Sequence, residues 1–188
     1  MSSQKSMIYE ILKMPQTVFT MPMLCQITGE GDANRLSHRI NYYVRKGILN
    51  NPRKGIYTKE EYDKLEMACS VYVPCYISLQ YVLQKRGVIF QYDSGISVVS
   101  YLSREIEIGG QRYTFRKIKS EIISDTRGIE VGGSVSMASK ERAVLDTLYL
   151  YPNFVFDNIG ALDKAKVMEL LPIYGSKVLE KRVEELFR

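Results

Sequence analysis

Asn34, Arg35, Ser37, His38, Asn41, Tyr42 and Arg45 place hydrogen-bond donors along one short stretch, and Arg53 and Lys54 follow shortly after it. Asparagine and arginine can make paired contacts to adenine and guanine edges in the major groove of DNA, while arginine and lysine neutralise phosphates. These residue types at this spacing suit a nucleic-acid surface better than a reaction centre. The parts of the usual reaction centres are missing. His38 is the single histidine of the chain and belongs to this basic stretch, which leaves no imidazole elsewhere to serve as base for a serine or cysteine nucleophile. Cys25, Cys69 and Cys75 show no C-x-x-C spacing and read as buried, reduced thiols rather than zinc ligands. The chain contains no G-x-x-x-x-G-K-[ST] loop, no G-x-G-x-x-G run and no Asp/Glu-x-Lys triplet, so nucleotide cradles and the commonest metal-dependent nuclease signature lack support. The sequence predicts neither an enzyme nor a cofactor.

The donors need an element to carry them. Leu36, Ile40, Tyr43 and Val44 stand at i, i+4, i+7 and i+8, the apolar stripe of a helix. Asn34, His38, Asn41 and Arg45 then occupy the opposite face, flanked by Arg35, Arg39, Tyr42 and Lys46. Asp32 suits the N-cap of this helix and Gly47 its left-handed stop. Ile48-Leu49 and Ile56-Tyr57 enclose a turn of Asn, Pro, Arg, Lys and Gly, which reads as a hairpin with Arg53 and Lys54 at its tip. Upstream, residues 4–14 read as a helix burying Met7, Ile8, Ile11 and Leu12. Residues 18–20 read as an extended piece, and a helix capped by Thr20 runs from Met21 to about Thr28. Helix, short strand, helix, turn, helix and hairpin in this order predict a winged helix-turn-helix over residues 1–59.

Charge points the same way. Residues 1–58 hold eight Lys/Arg against three acids, whereas residues 59–188 hold 18 of each, so the whole net charge of +5 lies in the first third. Such asymmetry implies a polyanionic partner for that part. With 188 residues, 45% apolar and 25% charged, the chain has room for two small globular domains. No apolar run reaches the ~20 residues of a membrane span, and the start lacks a signal-peptide core. A cytoplasmic protein without membrane contact is expected.

Residues 60–188 read as an α+β domain. Helices are expected at 60–71, 76–86, 139–151 and from Ala161 onward, with a break near Pro172 and Gly175. VIFQY, ISVVSYL, REIEI, RYTFRKIK and 129–137 read as an antiparallel β-meander of five strands. Arg104, Glu105 and Glu107 read as an exposed strand face. Arg116, Lys117 and Lys119 read as a solvated strand edge. Arg142 and Asp146, at i and i+4, read as a helix-surface pair worth roughly 0.2–0.5 kcal/mol.

Three stretches together resemble the AbiEi-type antitoxin and transcriptional regulator family. They are RKGILNNPRKGIYT at 45–58, CYISLQYVLQKRGVI at 75–89 and SMASKERAVLDTLYL at 136–150. The last departs from the family pattern by having Lys140 where proline is usual and Arg142 where lysine is. The resemblance implies a sequence-specific regulator that binds operator double-stranded DNA, inverted repeats among the arrangements, and represses its own operon. It further implies a nucleotidyltransferase-like toxin as functional partner in a type IV toxin–antitoxin pair. The second domain would then serve dimerisation, as a homodimer, or the antitoxin function. Positions matched for DNA contact are Asn34, Arg35, Ser37, His38, Asn41, Tyr42, Arg45, Arg53 and Lys54. The alternative reading is a winged-helix protein-interaction adaptor that does not bind specific DNA.

Overall fold

The computed structural model describes residues 2–188, with side chains from Met7 onward. It divides into two compact units, Met1–Val71 and Tyr72–Arg188. The fold is mixed α+β, as expected, with helices in both units, a small sheet in the first and a mixed sheet in the second.

The first unit runs α1 (Ser2–Lys13), β1 (Val18–Thr20), α2 (Met21–Thr28), α3 (Ala33–Arg45), β2 (Asn50–Arg53), β3 (Ile56–Thr58) and α4 (Lys64–Val71). Local chemistry sets most of these bounds. The Thr20 hydroxyl accepts a hydrogen bond from Met23 N, Pro22 stands in the first turn of α2, and Gly29 closes it with φ +67°. The three strands pair antiparallel in the order β1-β3-β2. Met7, Ile11, Phe19, Leu24, Leu36, Ile40, Tyr43, Leu49 and Tyr57 form one buried core. Each buried apolar side chain contributes about 1.5–3 kcal/mol. Leu12, expected in the buried stripe of α1, is 42% exposed.

The boundary expected after residue 59 falls after Val71 instead. The reason is Glu66 on α4. Its Oε2 accepts from Thr17 N (2.7 Å), Thr17 Oγ1 (2.6 Å) and Val18 N (3.1 Å), which fastens α4 to the start of β1. Met67 and Ala68 bury beside it. Replacing Glu66 with alanine leaves two main-chain donors without this acceptor and should cost the first unit about 1–3 kcal/mol. Urea titration of the full chain, followed by a probe in residues 1–71, checks this. An unchanged midpoint would show that α4 is held by packing alone.

The second unit contains β4 (Cys75–Ile77), α5 (Leu79–Lys85), β5 (Ile96–Ser100), β6 (Arg104–Ile108), β7 (Gln111–Lys117), α6 (Ser120–Ser124), β8 (Ile129–Gly132), β9 (Val135–Ala138), α7 (Lys140–Leu150), α8 (Lys164–Leu170) and α9 (Lys177–Leu186). Its sheet is not a meander. The strand order is β6-β7-β5-β4-β9-β8, with β5/β7 and β4/β9 parallel and the other neighbours antiparallel. The hairpin β6/β7 turns the chain back, so that β7 returns beside β5 in the same direction. Long connections of this kind are what parallel neighbours require. Three local expectations also change. Cys75–Ile77 forms a central strand, and the helix expected from Tyr76 starts at Leu79. The stretch 129–137 folds as a hairpin about Gly132 and Gly133. Residues 88–92 form no strand: the Val88 carbonyl accepts from Asp157 N and Asn158 N, and the Asp157 carboxylate accepts from Phe90 N. A later loop meets those main-chain groups in place of a neighbouring strand.

The largest correction concerns Arg142 and Asp146. Both side chains on α7 are completely buried, with Arg142 Nε 3.5 Å from Asp146 Oδ1. Arg142 Nη1 donates to the carbonyls of Asp125 and Arg127, and Nη2 donates to the carbonyl of Ile122 and to Tyr76 Oη. Asp146 Oδ1 accepts from Tyr76 Oη (3.0 Å) and Tyr174 Oη (2.6 Å), and Oδ2 accepts from Ser78 Oγ (2.7 Å). The Tyr76 and Tyr174 rings each lie 5.4 Å from the guanidinium carbon, within cation–π range. Burial pushes both phenols above their ordinary value, and Asp146 adds to the effect, so they stay protonated donors. Burial also pushes the Asp146 carboxyl up, against the pull of Arg142 and the three hydroxyls.

Arg104, Glu105 and Glu107 are exposed as expected, and Glu105 pairs with Arg116 at 2.8 Å. The cysteines are unbridged but half-buried rather than buried. Among the described residues, no helix is long and apolar enough to cross a membrane, and no group of three His, Cys, Asp or Glu could hold a metal ion.

Candidate nucleic-acid interface

The candidate surface begins at the turn between α2 and α3. Asp32 caps α3, its Oδ1 accepting from Asn34 N (2.9 Å) and Arg35 N (3.2 Å). The helix continues for 13 residues to Arg45. At its end Gly47 takes φ +70°, and the Tyr43 carbonyl accepts from the main chain of Ile48 and Leu49. This left-handed residue turns the chain directly into the hairpin.

Leu36 and Ile40 are fully buried, Tyr43 nearly so, and Val44 is half-buried. The stripe read from the sequence therefore faces the core. On the other side Asn34, Arg35, His38, Asn41, Tyr42 and Arg45 are solvent-facing to differing degrees: Asn34, Arg35, Asn41, Tyr42 and Arg45 are exposed, Ser37 is half-buried and His38 is exposed. Asn41 Nδ2 lies 3.5 Å from Ser37 Oγ, and Lys46 Nζ stands 5.8 Å from the centre of the Tyr42 ring. Among the described residues, His38, Arg45 and Lys54 have no ion-pair partner. These groups remain available to an external polyanion.

The hairpin supplies the remaining pair. Arg53 is the last residue of β2 and is half-buried, whereas Lys54 is exposed in the turn. Gly55 takes φ +79° there. Asn51 Nδ2 donates to the carbonyls of Arg53 (2.9 Å) and Ile56 (2.7 Å), tying the two sides of the turn together. The structure thus brings the helix-borne residues onto one exposed face and puts the other two at the turn of the hairpin.

Glu30 joins this surface without having been expected there. It stands in the turn before α3 and places Oε2 3.5 Å from Arg39 Nη1 and 3.7 Å from Arg35 Nε. The signal was present as an acid just upstream of a helix with two arginines one turn apart, but a Gly-Glu-Gly turn gives no direction for its side chain.

No family model matches the chain, and no curated protein matches it. Among solved structures it is similar to the crystal structure of RV2827C protein from Mycobacterium tuberculosis. The two share 11% identity over 99% of this chain and 76% of that chain, with a TM-score of 0.54. The likeness is one of fold. It extends over both compact units and carries no site residue with it.

Proposed function

We propose that residues 1–71 form a winged helix-turn-helix that binds double-stranded DNA, with α3 as recognition helix and β2/β3 as wing, and that the chain is a sequence-specific transcriptional regulator. The observation that carries this reading is the segregation on α3. Its apolar stripe is buried, while Asn34, Arg35, His38, Asn41 and Arg45 are all exposed. The confinement of the net positive charge to residues 1–58 supports it, because phosphate neutralisation supplies most of the affinity for a duplex. Asn34, Arg35, Ser37, His38 and Asn41 are the residues for base edges. Tyr42, Arg45, Arg53 and Lys54 serve the backbone. Residues 59–188 are balanced in charge, and the resemblance to AbiEi-type antitoxins supports an action of the second unit against a nucleotidyltransferase-like toxin, directly or through the operon.

The test is the salt dependence of duplex binding by the full chain. Log affinity should fall linearly with log salt, and Arg53→Ala with Lys54→Ala should reduce the slope by roughly 0.9 for each phosphate that is no longer neutralised. Weakening should be about equal for all duplexes. Binding that ignores salt, or no binding, would favour a protein-interaction adaptor instead.

A further inference from the structure

We propose that Glu30 is a positioning residue that sets the preference of this surface for specific over non-specific DNA, an inference that rests on the DNA-binding reading above. The two acids at the start of α3 have different tasks. Asp32 is committed to the main chain, accepting from Asn34 N and Arg35 N. The Glu30 carboxylate makes no such capping bond, and both of its side-chain contacts are to guanidiniums of α3. Its own N–H donates to Thr28 Oγ1 (3.4 Å), and Thr28 Oγ1 donates to the Leu24 carbonyl (2.7 Å), so the turn is fixed to the end of α2. Glu30 is therefore a negative charge carried on an anchored turn, its side chain 17% exposed, beside two positive ones.

The two arginines differ in a way that gives this charge its consequence. The Arg39 side chain is only 21% exposed and that of Arg35 is 72% exposed. Arg39 and Arg35 are one helical turn apart, where like charges repel, and Glu30 lies between their guanidiniums. With the carboxylate present, Arg39 is held against the protein, and Arg35 is restrained near the helix start instead of sweeping toward any phosphate within reach. Phosphates also meet a negative charge at the edge of the surface. Both effects penalise binding to a duplex of any sequence. Only a duplex that gives Arg35 a base edge in its restrained position recovers the difference. Neutralising Glu30 frees two guanidiniums for phosphates and removes the repulsion, so non-specific binding gains more than specific binding does.

The experiment compares the full chain with Glu30→Gln and Glu30→Asp. The specific probe is the duplex that the wild-type chain enriches from a random-sequence library, and the non-specific probe is poly(dI-dC). Glu30→Gln should bind poly(dI-dC) about tenfold more tightly, with a salt slope steeper by roughly 0.9–1.8 for one or two newly neutralised phosphates. Its affinity for the enriched duplex should change by less, so the ratio of the two falls. Glu30→Asp keeps the charge and should restore the ratio. The inference is overturned if Glu30→Gln weakens both probes equally or leaves ratio and slope unchanged while circular dichroism shows it folded. It is also overturned if the aspartate variant behaves like the glutamine one, because geometry rather than charge would then matter. A wild-type chain that enriches no duplex sinks the DNA-binding reading itself, and this inference with it, and that outcome appears before any variant is made.

Discussion

Arg142→Ala is expected to destabilise residues 72–188 by about 3–5 kcal/mol, the cost of leaving a buried charge without its partner. The guanidinium holds three carbonyls of the segment 122–127 and the hydroxyl of Tyr76, and it stands beside a completely buried Asp146. Removing it leaves the Asp146 carboxylate with hydroxyl donors only and orphans the carbonyls of Asp125 and Arg127, while that of Ile122 keeps Asp125 N. A marginal domain has little more stability than this to lose, so a large fall in the thermal midpoint of this unit should be seen by calorimetry. Arg142→Lys keeps the charge but cannot form the same fork of donors, and it should recover only part of the loss. Replacing Arg142 and Asp146 together with methionine and leucine removes the unpaired charge but takes their partner from the Tyr76, Ser78 and Tyr174 hydroxyls and from the Asp125 and Arg127 carbonyls, so it should not restore the wild-type midpoint. A midpoint close to that of wild type for Arg142→Ala would mean that water reaches the site.

Reversing the charge of Arg35, Arg45 and Arg53 together is expected to lower the affinity for any duplex by at least about 100-fold at moderate salt. Arg35 and Arg45 are exposed and Arg53 is half-buried, so the far-ultraviolet circular dichroism should be unchanged. If the second unit acts against a toxin, this triple variant should still rescue cells expressing a nucleotidyltransferase-like toxin, provided both genes are driven by constitutive promoters. Rescue that disappears at matched protein levels would place both activities on the first unit.

The first unit was far more legible in the sequence than the second, and the difference has a physical cause. Its elements are set by near neighbours: Thr20 and Asp32 cap the helices that follow them, Gly29 ends α2, and Leu36, Ile40 and Tyr43 repeat at helical spacing. In the second unit the decisive pairings are remote. Ile77 lies beside Met137 in a parallel ladder, and nothing in Cys75–Ile77 distinguishes a short strand from the first turn of the helix that follows. Residues 88–92 have the composition of a strand, yet Asp157 and Asn158 take up their main-chain groups. Spacing also does not record burial. An arginine and an aspartate four residues apart look alike on a solvated helix and in a core, and Arg142–Asp146 belongs to the core because Tyr76, Ser78 and Tyr174 converge on it. Glu66 shows the same limit on a smaller scale, since its partners Thr17 and Val18 are distant in sequence.

The cross-turn bonds of Asn51 bear on how fast this protein could recognise a partner. A hairpin of four- and three-residue strands is marginal by itself, and a loose one would have to be ordered at each encounter. Fixing one residue's backbone costs roughly 1–2 kcal/mol. Asn51 meets that cost at folding, through one amide that clasps both carbonyls flanking the turn. If the hairpin meets DNA as proposed, the backbone that carries Arg53 and Lys54 would arrive already shaped, and association would be governed by diffusion and electrostatic attraction rather than by a search among turn conformations.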